Sequence, residues 1–210
     1  MKSFSLFQRL KWSLVVVGIQ GLYFPASHFS NGGIAPALPF EPLPVYPIWV
    51  IPYCFAYLFW VFAIYWWLFR LETRSFLAVL AGALLTVSLG VSVFFAFPTY
   101  VKPPVVTGHD LFSQLLRFVQ VAGGSYAALP SAHNYMTMLI VAFAGRFYPR
   151  YRWLWWGILL AIALSTLFTG QHYALDVVFG LMLGWIGYRF GLYWVNRIPY
   201  ARQVSSAGRG

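Results

Sequence analysis

Apolar residues fill six long stretches of this chain, about 10–27, 47–69, 76–98, 134–148, 153–170 and 172–195, joined by links that carry most of the charge and proline. A helix crossing the hydrocarbon core of a bilayer needs roughly 20 such residues. The pattern therefore predicts an all-α protein: one integral membrane bundle of six transmembrane helices spanning a single domain, 1–210. The fourth stretch is the weakest, because it starts at Asn134 and meets Arg146.

Two links are long enough to have structure of their own. Residues 28–46 hold Pro36, Pro39, Pro42 and Pro44 among apolar neighbours. Proline lacks the N–H that a helix interior needs, so this link is expected to run extended along the membrane interface as a connector, with a lid as its alternative role. The link over 98–133 opens with Pro98-Thr99-Tyr100-Val101-Lys102-Pro103-Pro104 and closes with Pro130-Ser131-Ala132-His133. Between them, Asp110 to Val121 is amphipathic and predicts a short interfacial helix with Asp110 as its N-cap. The Gly and Ser after Arg202 read as a flexible tail over 198–210.

Charge orients the bundle. Lys2, Arg9 and Lys11 precede the first stretch, and Arg70 and Arg74 separate the second from the third. Arg146, Arg150 and Arg152 follow the fourth, and Arg189, Arg197, Arg202 and Arg209 close the chain. If six helices alternate, these twelve of the 14 basic residues share one side, and the positive-inside rule makes that side the cytoplasm, with both termini. A bacterial plasma membrane protein is the expected setting, and reading the first stretch as a cleaved signal peptide would invert the pattern. The composition agrees: 60% hydrophobic, 21% aromatic and 9% charged residues do not make a soluble globule. The formal charge of +10 is thus a topology signal with affinity for anionic membrane lipids, and no nucleic-acid partner is expected. Cys54 lies within the second stretch and reads as packing, and the tryptophans at 66, 67, 153, 155 and 156 as interface belts.

All four histidines (His28, His109, His133, His172), together with Lys102, Arg117, Glu41, Asp110 and Asp176, fall on the opposite side. His172-Tyr173-Ala174-Leu175-Asp176 starts the last stretch. An aspartate one turn inside an apolar helix costs on the order of 2.5–3.5 kcal/mol on insertion scales unless it is partnered. The histidine four residues earlier is the expected partner on the same helix face, its second nitrogen left free for chemistry. His28 and His109 read as interfacial anchors.

Pro130-Ser131-Ala132-His133 and Ser165-(six)-His172-(three)-Asp176 together resemble the second and third signatures of the type 2 phosphatidic acid phosphatase superfamily. Ala132 stands where that pattern has glycine, and Thr166 where it has arginine. The run Ser165 to Tyr173, with Phe97-Pro98-Thr99 and Lys102-Pro103, looks more like the branch containing inositol phosphorylceramide synthases. The resemblance implies a lipid phosphatase or phosphotransferase and makes Ser165 a phosphate-binding candidate and Arg117 the stand-in for the missing arginine.

The residues argue the same chemistry. Phosphoryl transfer needs in-line attack on phosphorus, protonation of the leaving oxygen and cations around the equatorial oxygens. His172 is the expected nucleophile forming a phosphohistidine, Asp176 its orienter and His133 the general acid, with Lys102, Arg117 and Ser131 holding phosphate oxygens. Three dispersed outer acids do not supply a two-metal site, so neither metal nor cofactor is expected. The expected partners are a lipid phosphate and, for transfer, a lipid acceptor. A haem bundle ligated by His133 and His172, or a small transporter, is the alternative from another class.

Overall fold

The computed structural model describes residues 4–198, so Lys2, Arg202, Arg209 and the expected tail beyond Ile198 lie outside the described residues. Among these there are eight α-helices: α1 (Leu6–Gly21), α2 (Tyr23–Phe29), α3 (Val50–Arg70), α4 (Thr73–Ala96), α5 (Leu111–Gly123), α6 (Ala132–Phe147), α7 (Arg152–Phe168) and α8 (Ala174–Arg197). Single 3₁₀ turns, Pro47–Trp49 and Pro149–Tyr151, lead into α3 and α7. Four segments, Pro47–Arg70, Thr73–Ala96, Pro149–Phe168 and Ala174–Arg197, are long and apolar enough to cross a membrane. Large apolar side chains such as Leu58, Val61 and Phe62 of α3 and Leu160 of α7 are exposed on the outside of the bundle, as a lipid-facing surface requires.

The remaining two apolar stretches depart from the expected pattern. The first is not one helix, because α1 ends and α2 starts at Leu22. Pro25 has no N–H to give the carbonyl of Gly21, and α1 closes instead with Leu22 N–H on Ile19 O at 3.1 Å. The other, α6, is 16 residues long and buried from Ala132 through Phe143. It lies among α3, α4, α7 and α8, so protein and not lipid is its solvent. That accounts for its low hydropathy: Asn134 donates to Ser131 Oγ and Thr166 Oγ1, and Thr137 accepts from Trp60 Nε1.

Helix α8 lies against α4 and α6 along Gly180, Gly184, Gly187 and Gly191. Small residues let helix backbones approach closely. At Gly180 an added Cβ would sit 2.7 Å from Ser131 O and 2.9 Å from Asn134 Cβ, beside the Pro-Ser-Ala-His segment. Gly180→Ala is therefore expected to push α8 off α6, costing about 1–3 kcal/mol as overpacking does. A lowered melting midpoint in detergent, with activity reduced, is the readout.

Side-chain contacts fix which ends meet. Arg9 donates to Leu71 O at 2.7 Å and Leu68 O at 3.1 Å, Arg74 to Asn196 Oδ1 at 3.0 Å, and Trp66 Nε1 to Tyr148 OH at 2.6 Å. One end thus gathers the start of α1 and α4 with the ends of α3, α6 and α8. The other carries α2, α5 and the two long links. Asp110 caps α5, its Oδ1 accepting from Phe112 N at 3.0 Å and Ser113 N at 3.1 Å. The Ser113 hydroxyl bond holds the Asp110 carboxyl below its usual range, so the cap is in place at neutral pH and is lost as the pH falls through that lowered value. Leu116 and Val119 of α5 pack on Val50 and Tyr53.

The proline-rich link is extended, as its prolines dictate. It is fastened at Ile34, whose N–H donates to Pro98 O at 3.2 Å and whose carbonyl accepts from Tyr100 N at 3.0 Å. It is fastened again at Tyr46, whose N–H donates to Phe168 O at 2.9 Å.

Candidate active site

Three separate segments are stitched together at the end of the bundle opposite Arg9 and Arg74. Thr99 is buried; its hydroxyl accepts from Leu129 N at 2.8 Å and its carbonyl from Ala128 N at 3.4 Å. That fixes the approach to Pro130. Ser131, the N-cap of α6, then donates its N–H to Asp176 O at 2.9 Å. Asn134 completes the stitching, its amide donating to Ser131 Oγ at 2.9 Å and Thr166 Oγ1 at 3.1 Å. His133, second residue of α6, is aimed by these bonds.

His172 lies in the turn between α7 and α8. Its N–H and that of Gln171 both donate to Thr166 O, at 3.0 and 3.1 Å. Gly170 permits the turn, with φ +67°, and a Cβ there would lie 2.6 Å from Pro104 Cγ. The expected helical pairing of His172 with Asp176 needs correction, because α8 starts only at Ala174, with Tyr173 as N-cap. Asp176 is the third helical residue; its Oδ2 accepts from Tyr173 N at 2.8 Å and lies 3.4 Å from His172 Nδ1. A capping turn, not a shared helix face, brings the two together. Both are buried, and His172 Nδ1 and Asp176 Oδ1 have no hydrogen-bond partner. The 3.4 Å separation is longer than the ~2.9 Å of a formed N–H···O bond.

The two imidazole rings lie 6.4 Å apart between centroids, at 59°. His133 is walled by α3: its ring stands 4.1 Å from Tyr53, 5.1 Å from Tyr57 and 5.1 Å from Trp60. Its Nε2 is buried and has no hydrogen-bond partner. This aromatic wall is missed when aromatics are assigned to interface belts; the signal is their spacing, 53, 57 and 60, which puts three rings on one helix face.

Of the cations and hydroxyls expected to hold phosphate, only Lys102 joins His172 at a cavity. That cavity measures ≈ 80 Å³ and is lined also by Glu41, Gly170 and Tyr173. A second, of ≈ 20 Å³, adjoins His172 on the side of Tyr23 and Tyr53. The structure does not bring Arg117 there: its guanidinium donates to Gly108 O at 2.6 Å and Val106 O at 3.0 Å, bracing the link before α5. Ser165 is buried and its hydroxyl is committed to Ile162 O at 2.6 Å. The Ser131 hydroxyl is likewise buried, taken by Asn134. Thr166 places no cation beside the histidines; its hydroxyl donates to Ala163 O at 2.8 Å.

Glu41 is the residue sequence reasoning passed over. Its Oε1 accepts from Ala174 N at 2.7 Å, the first residue of α8, and its Oε2 from Leu38 N at 2.7 Å. Nothing in the chain's local pattern connects positions 41 and 174. Among the described residues, no three His, Cys, Asp or Glu side chains gather as a metal-holding group. Two larger cavities, ≈ 390 and ≈ 250 Å³, lie between the helices, are lined almost wholly by apolar and aromatic side chains, and include neither His133 nor His172.

No curated protein and no solved structure matches the chain. A family model does, that of the PAP2 superfamily, over residues 40–190. Both histidine segments fall inside that match, which covers well over half of the 210 residues, and the chain belongs to the PAP2 superfamily.

Proposed function

We propose that the protein is a membrane-embedded phosphatase or phosphotransferase that cleaves a lipid phosphate or diphosphate at the extracytoplasmic face through a phosphohistidine. The observation that carries this reading is the pair of imidazoles 6.4 Å apart from separate segments, with buried Asp176 behind one of them. Nδ1 of His172 is turned to the carboxylate, so Nε2 is the attacking atom. It forms the P–N bond as the P–O bond to the leaving group breaks, and Asp176 stabilises the cation that results. His133 gives the leaving oxygen its proton. In the second half it takes a proton from water or an acceptor hydroxyl, whose oxygen attacks phosphorus and breaks the P–N bond. Lys102 and the first amides of α8 offset the charge on the phosphate oxygens.

A lipid substrate is supported by the ≈ 250 Å³ apolar cavity, whose walls include Tyr57 and Trp60, the same rings that touch His133. Purified protein incubated with a panel of lipid phosphates and diphosphates, with and without a hydroxylated lipid, tests the reading. Free phosphate identifies a hydrolase, and a new phospholipid identifies transfer, the reaction suggested by the likeness to the inositol phosphorylceramide synthase branch. Release from none of them overturns it.

The charge pattern supports termini in the cytoplasm and His172 outside, and the membrane we propose is a bacterial plasma membrane. In a Cys54→Ala background, cysteine at position 107 (Thr107→Cys) is expected to label from outside sealed cells and at position 150 (Arg150→Cys) from inside. Labelling of both from one side contradicts the arrangement. Turnover is also expected to survive excess EDTA; loss restored by magnesium or zinc would replace the phosphohistidine route.

A further inference from the structure

We propose that Glu41 is a built-in anion that occupies the phosphate position at the start of α8 and is displaced by the substrate's phosphate. The inference rests on the phosphate chemistry proposed for His172. The start of a helix presents unpaired N–H groups and partial positive charge, a natural seat for an anion. Here the first amide, Ala174 N–H, is already taken by the Glu41 carboxylate at 2.7 Å. The same ≈ 80 Å³ cavity is lined by Lys102 and His172, and His172 is buried at 7% exposure with Nδ1 turned to Asp176, which leaves Nε2 as its other ring nitrogen. A cation, a helix start and a buried imidazole around one small space select an anion, and Glu41 is the anion present.

A phosphate and a carboxylate repel each other in so small a space, so one must leave. Glu41 is placed to do so. It ends a tight turn, its N–H donating to Leu38 O at 2.9 Å, on a link fastened on either side at Ile34 and Tyr46. Release of one carboxylate from Ala174 lifts that turn while the flanking bonds persist. The amide it vacates is then free for a phosphate oxygen. Lipids lacking a phosphate have nothing to exchange for the carboxylate and leave the cavity shut, so Glu41 acts as a specificity residue.

Glu41→Gln removes the charge while its one amide oxygen can still accept from Ala174 N–H; the second bond, from Leu38 N–H, is lost, so only a gain in anion affinity, which a lost cap does not give, supports the proposal. The probe is orthovanadate, read as inhibition of p-nitrophenyl phosphate hydrolysis by the full-length protein. Binding couplings run about 5–150-fold, and the vanadate inhibition constant is expected to fall about fivefold or more in Glu41→Gln, with KM for the ester falling alongside it. An inhibition constant unchanged or raised, with a lower melting temperature, would make Glu41 only a cap and overturn the proposal. If Glu41→Ala does not fold, Glu41→Gln alone decides. A wild-type protein that hydrolyses no phosphate ester removes the phosphatase reading and this inference with it. An active wild type whose vanadate affinity ignores Glu41→Gln removes this inference alone.

Discussion

His172→Ala is expected to abolish turnover on every phosphate ester, and Asp176→Asn to lower kcat on the order of 10⁴-fold, the loss seen when an orienting carboxylate behind a catalytic imidazole becomes an amide. The first removes the atom that bonds to phosphorus. The second is more informative, because Asn retains an oxygen that can accept from Tyr173 N–H, the bond Asp176 makes at 2.8 Å in capping α8. The same Oδ2 position faces His172 Nδ1 at 3.4 Å, so the fold, substrate binding and ring orientation should survive while the charge that stabilises the imidazole cation is lost. Kinetics on a lipid phosphate, with a melting curve for each variant, checks both. An Asp176→Asn protein with near wild-type kcat would reduce the pair to a helix cap.

The second large effect depends on the substrate. His133→Ala is expected to cost about 10²–10⁴-fold on an alkyl lipid phosphate, the usual worth of a general acid. It should cost far less on p-nitrophenyl phosphate, whose leaving group needs little protonation. This follows from the acid role proposed for His133, whose ring lies 6.4 Å from that of His172 and is held by Tyr53, Tyr57 and Trp60. Equal losses on the two esters would make His133 a packing residue and leave the proton source elsewhere.

Much of this was legible in the chain because it is local. Apolar length announced the helices, Asp110 announced the cap of α5, and the prolines announced the extended link. The two histidine segments marked the candidate site through short-range spacing. What escaped had non-local causes. The break at Leu22 turns on one missing N–H at Pro25 inside an unbroken apolar run. The weak hydropathy of α6 reflects neighbours that hydropathy does not see, since the Asn134 amide donates to Thr166 of α7 and the Thr137 hydroxyl accepts from Trp60 of α3.

At the site, distance along the chain was the obstacle. Arg117 is on the expected side of the bundle, yet its guanidinium finds carbonyls nine and eleven residues away before any phosphate. Ser165 carries a hydroxyl at a motif position, but a helical serine has a carbonyl three residues back within reach, and Ile162 O takes it. Glu41 reaches Ala174 across 133 positions. The pairing of His172 with Asp176 was anticipated from a spacing of four, and the contact exists for another reason, the capping turn at Tyr173.

The central claim is a covalent phosphohistidine on His172, and it is open to direct trapping. In His133→Ala the base that takes the proton of the second nucleophile is gone, so the intermediate formed from p-nitrophenyl phosphate should accumulate. Rapid quenching into alkali, under which phosphohistidine persists, followed by peptide mass spectrometry, is expected to place the phosphate on His172, with the label lost on brief acid treatment and absent from a His133→Ala, His172→Ala double variant. Phosphate on a different residue, or an enzyme that turns over with no phosphorylated species in any variant, would contradict the account.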